Sequence, residues 1–133
     1  MKRIYQVTQV NADIVKMEVK IGTVGIGYTA VYQARSGGQK TLIAESDTQS
    51  AGIKKKTIGT SGTLRGSYII IQTVITLGSA LKSDWEAITK NIFGAYILYG
   101  GFMGDMVFNY DPDDVTVSAN KKVIVITKPI EIT

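Results

Sequence analysis

The chain has 133 residues, a formal net charge of +4 and an apolar fraction of 44%, which suits one domain over residues 1–133 with a core that needs no covalent staples. Cysteine and histidine are both absent. Their absence excludes disulfides, thiolate zinc sites, cysteine nucleophiles, Ser-His-Asp triads and imidazole general bases. The charge is uneven: residues 1–66 hold ten Lys and Arg against four acids, and residues 67–133 hold five against seven.

Lys2 and Arg3 are followed by the alternating Ile4, Gln6 and Thr8 rather than an apolar leader core, so no signal peptide is expected. No run approaches the roughly 18 apolar residues of a membrane helix. These readings point to a protein without a membrane span, either cytoplasmic or associated with a particle such as a virion.

The dominant period is two. Val15, Met17, Val19 and Ile21 alternate with Lys16, Glu18 and Lys20, the pattern of a strand apolar on one face and wet on the other. Val24, Ile26, Tyr28, Ala30 and Tyr32 alternate again after Gly22-Thr23, and the two runs read as a hairpin. Ser36-Gly37-Gly38 ends the second run, and a shorter strand begins near Leu42 and Ala44. The stretch from Ser46 to Gly62 is the most loop-like, with a short edge strand at Ile53–Ile58 protected by Lys54, Lys55 and Lys56. Tyr68–Leu77 is apolar on both sides of the pleat and β-branched, which predicts a central strand covered on both faces.

One short helix is expected near residues 83–92. Ser83 and Glu86 have capping-box spacing, and Trp85, Ile88 and Ile92 fall on one face. Strands follow at Ala95–Tyr99 and around Met106–Tyr110. The turn Asp111-Pro112-Asp113-Asp114 comes next, then a final hairpin from Val115–Ser118 through Ala119-Asn120-Lys121 to Val123–Thr127. Pro129 lacks a ladder donor, which places Ile130 and Ile132 on an edge. Nine or ten short strands with one helix predict an all-β antiparallel sandwich or closed barrel.

Few residues suggest chemistry. Gly22, Gly25 and Gly27 resemble a phosphate loop, but strand formers follow where a helix is needed, so a hairpin is favoured. Gly59, Gly62 and Gly66 lack a Walker ending and read as turn and strand entry. Asp111, Asp113 and Asp114, with Asp105 nearby, could supply oxygen ligands to calcium; the EF-hand pattern is not met, and a solvated turn is the plainer reading. No spacing selects a carboxylate pair for glycoside hydrolysis. Lys54, Lys55 and Lys56 could meet a polyanion, but no aromatic residue lies near them in sequence to stack bases, so nucleic acid is not the favoured partner. Tyr96 and Tyr99 are the tyrosines expected at the surface, because they lie on opposite faces of one strand.

The residue types therefore favour a non-enzymatic structural protein without a cofactor. Its expected partners are copies of itself or other subunits of a larger assembly, with Lys54, Lys55, Lys56, Tyr96 and Tyr99 as candidate interface residues. The alternative is a module that binds a carbohydrate or small ligand on an aromatic face.

Overall fold

The computed structural model describes residues 3–23, 26–47, 50–78, 82–119 and 122–133. Among these residues ten strands form two sheets. The first has the order β1 (Ile4–Tyr5), β10 (Val123–Ile132), β6 (Tyr68–Thr76), β3 (Ile26–Ala34) and β4 (Lys40–Glu45), with β9 (Val115–Val117) also paired to β10. The second has the order β5 (Ile53–Thr60), β2 (Ile14–Gly22), β7 (Phe93–Gly101) and β8 (Gly104–Asn109). Both sheets end in free edges among the described residues, so the architecture is an open sandwich.

The alternation of the sequence decides which faces meet. Val15, Met17 and Val19 of β2 and Tyr96 and Leu98 of β7 point inward against Ile69 and Ile71 of β6, Val31 of β3, and Ile130 and Ile132 of β10. A second cluster fills one end, where Ile75, Leu77, Ile124 and Ile126 meet Ile92 and the half-buried Trp85 and Ile88. Each fully buried isoleucine contributes about 1.5–3 kcal/mol relative to exposure.

Several expectations are corrected. The runs around Val15–Ile21 and Ile26–Tyr32 are not a hairpin. The chain leaves the second sheet after Gly22 and enters the first at Ile26, so β2 pairs with β5 and β7 while β3 pairs with β4 and β6. Both strands present one apolar face, and facing each other across the core satisfies that pattern as well as pairing would. Val24 and Gly25, in the crossing, lie outside the described residues, as do Asn120 and Lys121 of the last turn. The antiparallel β9–β10 hairpin that this turn joins is present.

β6 is central, between β10 and β3, but only one of its faces is fully buried; Ile70, Gln72 and Val74 on the other are half-buried. Ile130 and Ile132 are core residues with no exposure, not edge residues. Along its outer side β10 pairs with β9 over Ile124–Ile126 and with β1 at Glu131–Ile132. Pro129 falls in the break between them. Its nitrogen faces the same side as the Glu131 N–H, which bonds Arg3 C=O at 2.8 Å, so the missing donor costs no ladder bond.

The helix α2 (Trp85–Lys90) follows a 3₁₀ turn at Lys82–Asp84. The N-cap is Asp84 with no side-chain cap bond, so the Ser83 capping box is not formed; the tighter turn moves the start of the helix past it. Trp85 donates its indole N–H to Leu77 C=O at 2.9 Å, pinning α2 over the second cluster. A further one-turn helix, α1 (Ser61–Leu64), occupies the stretch read as a plain turn. Its capping box is built from Thr60 and Thr63.

Sequence-distant segments are tied by Tyr5. Its hydroxyl accepts from Gly101 N–H at 2.6 Å and donates to Gly104 C=O at 2.9 Å, inserting between the two ends of the β7–β8 hairpin. A Cβ at Gly101 would lie 2.5 Å from the Tyr5 ring, so only glycine admits this wedge. Tyr5→Phe leaves both backbone groups unpaired and is expected to cost about 1–3 kcal/mol. Tyr68→Phe, at a 43% exposed position, is expected to be nearly neutral; urea unfolding of both variants checks the contrast.

Candidate functional site

The long side of the sandwich where β8 faces β1 and the outer side of β10 holds most of the unusual chemistry. The β7–β8 hairpin turns through Phe102 and Met103 between glycines, with Gly100 and Gly104 at positive φ. Phe102 is 60% and Met103 83% exposed. The turn is anchored from below, since Phe102 N–H donates to Gln6 C=O at 2.9 Å. Beside it a groove of about 400 Å³ is lined by Ile4, Tyr5, Gln6, Met103, Met106 and Thr133. Farther along β8 a second groove of about 330 Å³ is lined by Val107, Asn109, Tyr110, Asp111, Arg3 and Lys128.

The floor of the second groove is an ion network. Lys128 shares the inward parity of Ile124, Ile126, Ile130 and Ile132 and is buried with them. Its ammonium is 3.1 Å from Asp114 Oδ2, donates to Asn109 C=O at 2.6 Å, and lies 5.6 Å from the centre of the Tyr96 ring. Arg3 reaches Asp114 at 2.8 Å and Asp111 at 3.2 Å. Two cations and two carboxylates thus fill the break in the β10 edge left at Pro129. Burial pushes the Tyr96 phenol up, and Asp114 adds to the effect. The Asp113 N–H, and then the Arg3 guanidinium, hold the Asp111 carboxyl below the usual carboxylate range.

This network takes up the carboxylates considered for calcium. Asp111 also caps the 3₁₀ turn Pro112–Asp114 through the Asp113 N–H at 2.9 Å. Asp111 and Asp114 are oriented by cationic side chains, and no group of three or more acidic residues suited to a metal occurs among the described residues. Asp113 contributes its backbone to the turn.

The other candidates lie elsewhere. Lys54, Lys55 and Lys56 are exposed on β5, the opposite edge of the second sheet. They line a broad cleft of about 650 Å³ together with Glu18, Glu45 and Asp47, so the cleft is of mixed charge. Lys55 and Tyr99 come together, with the ammonium 4.0 Å from the ring centre. Tyr99 donates to Glu18 at 2.7 Å, which pushes its phenol up to about 12. Tyr96 is corrected: at 1% exposure it is a core residue and cannot form a surface contact. The opposite-face argument for Tyr96 and Tyr99 is right in parity, and the inward member is the one lost to the core.

Sequence reasoning missed Phe102, Met103, Lys128 and Arg3. Two large apolar residues framed by Gly100-Gly101 and Gly104 in a turn are a visible signal, because turns favour polar residues. Lys128 at core parity within an isoleucine alternation is another. No known protein family, curated protein or solved structure matches the chain.

Two outcomes are expected. Lys128→Ala leaves Asp114 buried with half its compensation and is expected to cost about 3–5 kcal/mol in urea unfolding. The depressed Asp111 carboxyl binds fewer protons folded than unfolded, so its contribution is present above the ordinary value of about 3.9 and is lost as pH falls through the folded value. Stability measured from about pH 5 to pH 2 is expected to fall less steeply in Asp111→Asn than in the parent chain.

Proposed function

We propose that this protein is a structural assembly subunit that works by associating with copies of itself. The carrying observation is the exposed Phe102–Met103 turn beside the Ile4–Met106 groove. Isolated exposed apolar residues are ordinary, but a contiguous patch of them marks a contact surface. The turn is held in shape by the Tyr5 wedge and the Gln6 carbonyl, so the patch is presented on a rigid support. Preformed surfaces bind with little ordering cost. The lack of histidine and cysteine agrees with a role that needs no nucleophile or imidazole base.

A second reading has one specific support: Tyr28, Tyr32 and Tyr68 all belong to the outer face of the first sheet, where a carbohydrate could stack. Lys40 already covers the Tyr32 ring at 5.0 Å, and Tyr28 is bonded to Glu45, so two of the three rings are engaged. Self-association is therefore preferred.

Light scattering over about two decades of concentration tests the reading, because mass action shifts any self-association. An oligomer is expected. A Phe102→Ser, Met103→Ser double variant is expected to weaken it at least about tenfold, since burying even one such side chain is worth more than the 1.4 kcal/mol of a decade. A strict monomer would overturn self-association and send the search to glycans on the tyrosine face.

A further inference from the structure

We propose that β8 is the strand through which two copies join, pairing antiparallel with β8 of a second copy to make one continuous eight-stranded sheet. The inference rests on the assembly reading and goes beyond it by naming the edge, the partner strand and the register.

The edges of the sandwich differ. β5 carries three consecutive lysines and two register shifts against β2. β4 has Lys40 and Glu45 at its ends and a shift against β3. β1 and β9 are two and three residues long. These are the devices that keep a sheet edge from recruiting another strand. β8 is the least protected: six residues with no lysine, arginine or proline, and pairing with β7 that is regular from Met106 to Asn109, its one register shift lying toward the turn between Leu98 and Gly101. Its one charge is Asp105.

The direction of the backbone groups gives the register. Tyr110 N–H bonds Gly94 C=O at 2.8 Å, so Phe108 and Met106 also turn their groups toward β7. Asp105, Val107 and Asn109 turn theirs to the open side. The Asn109 carbonyl is already taken by Lys128 at 2.6 Å. By the same alternation the N–H and C=O of Asp105 and Val107 turn away from β7. An antiparallel copy centred on Met106 pairs Asp105 with Val107 of the second copy, and Val107 with its Asp105. Each pair exchanges two N–H to C=O bonds, so all four of these groups on each strand are satisfied. Met106, 46% exposed, then meets its own counterpart at the centre, and each Asp105 faces a valine instead of the other aspartate.

Charge selects a second copy over a foreign strand of opposite sign. The Arg3, Lys128, Asp111 and Asp114 network beside β8 sums to zero. The lysine-rich edge, β5, lies at the far side of the same sheet. In the joined sheet the two lysine edges stand seven strand spacings apart, about 34 Å, well beyond the screening length of about 8 Å at physiological salt. Copies of a chain with net charge +4 therefore meet far from their lysine edges, each bringing one carboxylate, Asp105, set against the other copy's Val107. The grooves at either end of β8 leave room for the incoming strand.

Two variants test this on the full chain. Val107→Pro removes an N–H that turns away from β7, so circular dichroism and the unfolding midpoint are expected to stay near those of the parent while self-association weakens at least tenfold. Met106→Cys, in a chain with no other cysteine, is expected to form a covalent dimer under mild oxidation, whereas Lys55→Cys on the opposite edge does not. An oligomer that survives Val107→Pro, with Met106→Cys uncrosslinked, overturns pairing through β8 and leaves the assembly reading standing. Weakening by Val107→Pro without the Met106 crosslink overturns the register. A parent chain that is monomeric at every concentration overturns both readings.

Discussion

The architecture depends on how the outer side of β10 is completed. Ten residues long and buried on its inner face, β10 has β6 along one side, but two short and unrelated strands share the other. Pro129 sits where they fail to meet. Lys128, pointing into the core beside that break, would carry an intolerable charge if left alone. Asp114 from the turn before β9 and Arg3 from the residue before β1 converge on the break, so one ion network joins the two segments that complete the strand. Neutralising the lysine and closing the sheet are the same structural event.

That network also governs the edge opposite it. By taking the Asn109 carbonyl, Lys128 shortens the part of β8 open to a partner, and the Tyr5 hydroxyl closes the Gly104 carbonyl at the other end. Between these caps, Asp105 and Val107 are the residues whose backbone groups turn away from β7. The polar interior of the groove thus limits the pairing length of an otherwise unprotected strand.

The strands were readable because the period-two alternation is strong in Val15–Ile21, Ile26–Tyr32 and Val123–Thr127, and the lysines of β5 and the β9–β10 hairpin follow from local composition. What alternation cannot say is whether two patterned runs lie side by side or face to face, since both hide the same apolar face; the β2–β3 crossing is such a case. The two-residue β1 carries no pattern of its own, and its parallel partner lies at the other end of the sequence. Pro129 misled for a related reason: lack of a donor identifies an unpaired position, not an unpaired strand. Of the site, the glycine frame of Phe102–Met103 and the parity of Lys128 were legible, whereas the convergence of Arg3 on Asp111 and Asp114 spans more than 100 positions and only the fold reveals it.

The strand order has a consequence for how the chain is made. β6, rich in isoleucine, has β3 on one side and β10 on the other, and synthesis delivers β3 long before β10. For the interval in which some fifty further residues are added, a nascent chain holds Ile69, Ile71 and Ile75 on a strand with one side bare. The strand that covers this side of β6 is thus the last one synthesised, and until it is made the chain has no strand of its own to place there.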